Sequence, residues 1–245
     1  MKKALYFDCF SGISGDMSVA ALIDIGASFE SLKSELGRLF AKERPIGLSV
    51  ARTLKCGVSA LKFNVDPPHL ETDLSGFDEI GSFIELSELA IDVKKLALAI
   101  FGNLAEAESR IHGVPVQKVH FHEIGAFDSI VDIVGFSIAF RSLDIDNVIA
   151  SPIALGYGSI RCRHGTYPVP AMATLELLKS IPVYGGEHEC ELTTPTGAAI
   201  IKTITKDYRE KLPKMQVERI GYGAGTKDLE NQPNVLRLVY GEAME

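Results

Sequence analysis

Only four cysteines stand in the 245 residues, at Cys9, Cys56, Cys162 and Cys190, far apart and with no Cys-x-x-Cys pair. That spacing indicates neither a zinc knuckle nor a disulfide framework, and reduced thiols are expected. Basic residues are also in short supply: 25 Lys and Arg against 32 Asp and Glu leave a net charge of −7. The balance disfavours a generic nucleic-acid binder, which needs a basic face to neutralise phosphates. No apolar run approaches the roughly 18 residues that a spanning helix requires. Met1-Lys2-Lys3 passes straight into a short strand-like stretch, so neither a membrane span nor a signal sequence is expected, and a cytoplasmic setting is. Internal repeats and low-complexity segments are lacking too. What remains is an ordinary globular mixture, 46% hydrophobic and 23% charged, long enough to bury a large core.

Chemistry-bearing residues are densest between His120 and Asp132, where His120, His122, Glu123, Asp128 and Asp132 fall within thirteen positions. If the segment before Gly125 is extended, His120 and His122 point to the same side of it. If a helix begins near Ala126, Asp128 and Asp132 lie one turn apart on one face. Imidazole with carboxylate suits several divalent metals and does not name one. A solvated turn with a charged helix face is the competing reading of so short a pattern.

Three further segments have the form of anion loops. Ala4 to Phe7 reads as a strand, followed by Asp8, the small-residue loop Ser11, Gly12, Ser14, Gly15, then Asp16 and a helix over residues 17–25. Glycines admit a ligand close to the backbone and helix N-termini favour anions, although the Gly-Lys-Ser/Thr ending of a P-loop is missing. Asp8 and Asp16 together are suited to a divalent cation beside a phosphate. Thr194, Pro195, Thr196 and Gly197 repeat the loop-to-helix form, with Thr194 as N-cap and Pro195 as the first helical residue. Gly223, Gly225 and Lys227 form a third glycine-rich candidate. Capping alone is the competing account of the first two forms, and the simpler one for Thr194 to Gly197 taken singly; a mobile glycine loop is the competing account of the third. His164, in a loop beside Arg161 and Arg163, is a candidate acid-base group or ligand.

For the fold, alternation around Lys55-Cys56-Gly57 predicts an antiparallel hairpin. Residues 69–81, acidic and rich in turn formers, predict a loop. Apolar spacings of three and four predict a long helix over residues 86–111 and another over 126–142. Pro170 fits the first position of a further helix, and residues 235–240 read as a last strand. The expectation is α+β, a mixed sheet covered by the long helices, with α/β as the alternative, in one domain over residues 1–245 and a sublobe over 150–245.

Taken in order, Tyr6 to Met17, the block from His120 to Gly135, His164-Gly165 with Pro168-Val169-Pro170-Ala171, Thr193 to Ala198, and Gly221 to Lys227 with Pro233 to Arg237 resemble the LarC family of nickel-insertion proteins over nearly the entire chain. The resemblance implies the last step in making the nickel-pincer cofactor of lactate racemase. In that step nickel enters pyridinium-3,5-bisthiocarboxylic acid mononucleotide through two nickel–sulfur bonds and one nickel–carbon bond, with CTP consumed and manganese or magnesium assisting. Such a CTP-dependent nickel chelatase, or cyclometallase, falls in the lyase class. The implied partners are the precursor, CTP, a C-terminal domain into which longer members continue, the acceptor racemase and further copies of the chain, with no nucleic acid or membrane. On this reading Asp8, Asp16, His120, His122, Glu123 and Asp132 meet as metal ligands around one cleft with Asp128. Glu123, Asp128 and His164 are the candidates to accept a ring proton, and the loops at Ser11 to Gly15, Thr194 to Gly197 and Gly223 to Lys227 compete for the phosphate. Two other classes fit the same residues. One is a metal-dependent nucleotide phosphohydrolase, and the other a non-catalytic module that holds nickel or precursor.

Overall fold

A computed structural model describes residues 2–40, 46–66, 74–121, 126–162 and 165–244. His122, Glu123 and His164, and residues 69–73 of the expected loop, lie outside them. In chain order the elements are β1 (Lys3–Asp8), α1 (Gly15–Asp24), α2 (Phe29–Leu39), β2 (Gly47–Lys55), β3 (Val58–Asp66), α3 (Phe77–Glu85), α4 (Ile91–His112) and α5 (Ala126–Arg141), with a 3-10 turn at Val116–Lys118 before α5. There follow β4 (Asn147–Ala150), β5 (Ile153–Ala154), β6 (Ser159–Cys162), β7 (Gly165–Pro168), α6 (Met172–Leu177), β8 (Val183–Tyr184), α7 (Pro195–Ile204), β9 (Asp207–Tyr208), β10 (Met215–Ala224) and β11 (Val235–Ala243).

Seven strands form one mixed sheet in the order β2-β3-β10-β11-β1-β4-β9. β1 pairs antiparallel with β11 and parallel with β4, so the expected mixed sheet with helices over it is present. Strand parity sorts the two faces. Leu5 and Phe7 of β1 join the main core with α1, α2, α4, α5 and α7, whereas Tyr6 packs on the opposite face with Ile149 and Val239. α1 lies against β3, β10 and β11, α5 packs on α1 and α4, and α7 packs on α4.

Glycine sets the distance between α1 and the sheet. A Cβ added to Gly223 would stand 2.8 Å from Ala21 N and 2.9 Å from Met17 C, closer than side chains tolerate. The β2–β3 hairpin turns through Cys56 and Gly57, both at positive φ (45° and 80°), as two-residue hairpin turns require.

Four local expectations are corrected. The acidic segment read as loop to residue 81 contains α3, whose start is fixed by Glu79 accepting from Gly76 N at 3.0 Å and Ser75 N at 3.2 Å and whose Ile80 and Ile84 are buried. The long helix accordingly begins at Ile91, after a break. Gly221 and Gly223 lie inside strand β10, and α6 starts at Met172, after a cis Val169-Pro170 bond.

Candidate functional site

β1 feeds the chain into the loop that Ser14 ends as N-cap of α1, its hydroxyl accepting from Met17 N at 3.4 Å. Thr194 caps α7 in the same way, accepting from Gly197 N at 3.2 Å, with Pro195 at the first helical position. The two loops are stitched together: Thr194 N donates to Ile13 O at 3.1 Å and Ile13 N to Thr193 Oγ1 at 3.3 Å. Gly197 permits this approach, since a Cβ there would stand 2.9 Å from Ser14 Cα. Both helix N-termini therefore open onto one cleft of about 300 Å³. To its lining α5 contributes Asp128, Ser129 and Asp132, and the end of α4 contributes Glu108, Ile111 and His112. Ile160 and Tyr167, cross-strand partners in the β6–β7 hairpin, and Met172 of α6 supply apolar surface.

Carboxylates dominate the electrostatics. Burial raises the Asp132 carboxyl well above the usual range, and Asp16 and Asp128 push the same way against Lys62 and the backbone N–H of Asp16. Burial also raises Asp128, and raises Glu191 against the pull of Lys227. Asp16 is held by the Ser14 hydroxyl and by Lys62, whose Nζ also reaches Thr226 Oγ1 at 2.9 Å. A Cβ on Gly15 would sit 2.6 Å from that of Asp132, so the first turn of α1 rests directly on this carboxylate. Glu108 Oε2 pairs with His112 Nε2 at 3.2 Å. Among the described residues, no three His, Cys, Asp or Glu side chains converge closely enough to hold a metal ion. The described carboxylates are separate oxygen donors, a set that suits a hard cation and binds nickel more loosely than sulfur does.

The sequence candidates divide accordingly. Ser14, Gly15, Asp16, Asp128, Asp132, Thr194 and Thr196 line the cleft, and Gly197 lies in the turn behind it. Asp8 does not join them: two residues along from Tyr6, it pairs with Arg237, whose Nε donates at 2.9 Å, and lines a different cavity with Phe10 and Tyr184. His120 forms a bridge to Gly76, with Nδ1 3.4 Å from Ser75 Oγ, and is not in the cleft lining.

Ser11 is buried, donating to Pro233 O at 2.8 Å and accepting from Gln232 Nε2 at 2.6 Å. Gly12, at φ +79°, turns against Leu192, and Gly223 and Gly225 pack against α1 and Asn234. These glycines make room for protein, and Lys227 donates to Glu191 O at 3.0 Å. Glu108, His112, Tyr167 and Glu191 are cleft residues that the sequence reading passed over. One signal was available: Glu108 falls among the apolar residues of the α4 stripe, with a histidine one turn on.

A family profile described as nickel insertion protein matches residues 5–245. A Geobacillus kaustophilus protein named pyridinium-3,5-bisthiocarboxylic acid mononucleotide nickel insertion protein is 49% identical over 98% of this chain and 60% of its own length. A Desulfitobacterium hafniense protein of the same name is 47% identical over 98% of this chain and 58% of its own. The chain thus spans about 60% of the length of these relatives. No solved structure matches, and no helix among the described residues is long and apolar enough to cross a membrane. With the profile covering all but the first four residues, the chain belongs to the nickel insertion protein family.

Proposed function

We propose that the cleft between the N-termini of α1 and α7 receives a pyridinium-3,5-bisthiocarboxylic acid mononucleotide together with nickel, and that nickel enters the precursor there. The observation that carries this reading is the convergence of two helix N-termini and the α5 carboxylates on one cleft with an apolar side. The precursor named for the relatives presents matching parts: a phosphate, a flat cationic ring and two soft sulfur groups.

Charge favours one anion loop over the others. The first turn of α7 holds no acidic residue, whereas that of α1 carries Asp16, and the glycines of β10 are filled by protein contacts. The phosphate therefore belongs at Thr194 and Thr196, where the Thr196 N–H and the helix dipole favour it. The pyridinium ring lies against Tyr167 and Ile160. Asp16, Asp128 and Asp132 hand nickel over, because thiocarboxylate sulfur binds the ion better than carboxylate oxygen does.

On this reading the protein is a CTP-dependent cyclometallase of the lyase class, working in the cytoplasm with manganese or magnesium and supplying the pincer cofactor to lactate racemase. The test is nickel transfer by this chain into purified precursor with CTP and manganese, followed by the mass and absorbance of the product. Thr196→Glu, which puts a negative charge where the phosphate is placed, should raise the precursor KM at least about tenfold. Hydrolysis of CTP without precursor, or nickel and precursor binding without product even after the remainder of the relatives' length is supplied, would overturn the proposal in favour of a phosphohydrolase or a holding module.

A further inference from the structure

The segment that leads into α7 connects two parts of the cleft. At one end Gly158, at the foot of the β6–β7 hairpin, packs against Glu189, to whose Cγ an added Cβ would stand at 2.8 Å, and Tyr157 N donates to His188 O at 3.1 Å. At the other end Thr194 caps the helix. Glu191 lies between them, half-buried, and lines the cleft with Tyr167, Thr194 and Thr196. Its backbone is held on both sides: Leu192 N donates to Leu155 O at 3.0 Å, and Lys227 Nζ donates to Glu191 O at 3.0 Å. Neither bond uses the side chain. Among the described residues no hydrogen bond reaches the Glu191 carboxyl, and burial raises it above its ordinary value against the pull of Lys227. An acceptor in this position has given up water without gaining a donor from the fold, which a ligand hydroxyl can supply.

We infer that Glu191 holds the ribose of the mononucleotide by accepting from its two vicinal hydroxyls, and so selects a ribonucleotide as substrate. This rests on the function proposed above. In a mononucleotide the sugar joins the ring to the phosphate. With the ring against Tyr167 and Ile160 and the phosphate at Thr194 and Thr196, the ribose comes beside the chain that connects those two places, and Glu191 is the cleft-lining residue there. The two oxygens of a carboxylate match a vicinal diol, and an acidic side chain takes a ribose hydroxyl in the same way in dinucleotide-binding folds. The Lys227 ammonium acts on the same carboxylate and offsets its repulsion of the phosphate. Asp16, Asp128 and Asp132, which lie on α1 and α5, are engaged with nickel in this arrangement.

The test titrates precursor by calorimetry, without nickel or CTP, into the unsubstituted protein, Glu191→Gln and Glu191→Ala, and repeats each titration with an analogue whose sugar lacks both hydroxyls. The unsubstituted protein should bind the ribose form at least about tenfold more tightly than the analogue, as hydrogen bonds to a charged group give. Glu191→Ala should weaken the ribose form by at least about tenfold and leave the analogue within about twofold, so that the two losses do not add. Glu191→Gln, which keeps one acceptor oxygen, should fall between. Thermal melts check that the variants fold, and the backbone bonds at residue 191 are independent of its side chain. Nickel titrated into either variant without precursor should bind as it does to the unsubstituted protein. A folded Glu191→Ala protein that keeps the unsubstituted preference for ribose overturns the inference. Equal weakening of both sugar forms also overturns it and makes Glu191 a counter-charge to the ring, whereas lost nickel binding overturns it and makes Glu191 a metal ligand. Equal binding of both forms by the unsubstituted protein puts the hydroxyls in solvent, with the same consequence. Absence of precursor binding by the unsubstituted protein is a separate result that removes the proposed function itself, and this contact with it.

Discussion

Gly223→Ala separates a packing glycine from a ligand cradle with a single methyl group. The added Cβ would meet Ala21 N at 2.8 Å and Met17 C at 2.9 Å, with Met17 O nearer still, where ordinary contact begins at 3.4 Å. All three atoms belong to the backbone of α1, so no side chain can swing aside and the helix must lift off the sheet. Overpacking of this kind costs about 1–3 kcal/mol, and rigid partners place it at the upper end. For a chain of this size that is a fall in Tm of about 6–12 °C. Gly37→Ala is the control, because the same methyl group in the exposed part of α2 meets nothing within 4 Å. There it removes a helix-interior glycine and should stabilise by about 0.5–1 kcal/mol. Thermal melts of both variants beside the parent, with precursor titrations on each, measure the contrast. A Gly223→Ala protein that melts with the parent yet no longer binds precursor would refute the packing account and return this glycine to the anion loop that its sequence context suggests.

Asp132→Asn should change how stability depends on pH. Because burial raises the native carboxyl above its unfolded value, the native state holds the proton more tightly over the window between the two. Parent stability therefore falls as pH rises through that window, by up to about 1.4 kcal/mol per pH unit for one proton, and stays lowered above it. The asparagine variant should lack this fall and be the more stable protein at neutral pH in urea melts between pH 4 and 8; equal slopes would refute the assignment. Thr194→Ala removes the side-chain oxygen that accepts from Gly197 N and should lower stability by about 1 kcal/mol, read as a shift in the urea midpoint without a change in slope.

Local chemistry that agrees with tertiary structure is what the sequence made readable. The β2–β3 hairpin follows from alternating apolar residues around a Cys-Gly pair able to take positive φ, and the caps at Ser14 and Thr194 follow from side chains that satisfy amides within three residues. α3 was unreadable because Ile80 and Ile84, its buried pair, sit among acidic and turn-forming neighbours. Their burial depends on the main core, which a local window does not see. β10 was unreadable for a related reason. Residues 216–220 are all exposed, so there is no alternation to detect, and the glycines that follow resemble a loop until α1 is laid across them.

The site divides along the same line. Asp128 and Asp132 share the cleft because helix periodicity puts residues four apart on one face, a rule that needs no knowledge of the remainder of the fold. Asp8 failed to join them because strand parity fixes only that it lies opposite Phe7. With apolar residues on both faces of β1, the sequence did not disclose which face the helices cover. Glu108 was open to inference from the start, and it was hidden by its surroundings: Leu104, Ala107 and Ile111 continue the helical spacing past it, so the stripe reads as complete without it. A carboxylate at a position where the helix buries its apolar face, with a histidine one turn later, is a conflict between local pattern and burial cost. In this fold that conflict lies in the wall of the cleft that the carboxylates of α5 also line.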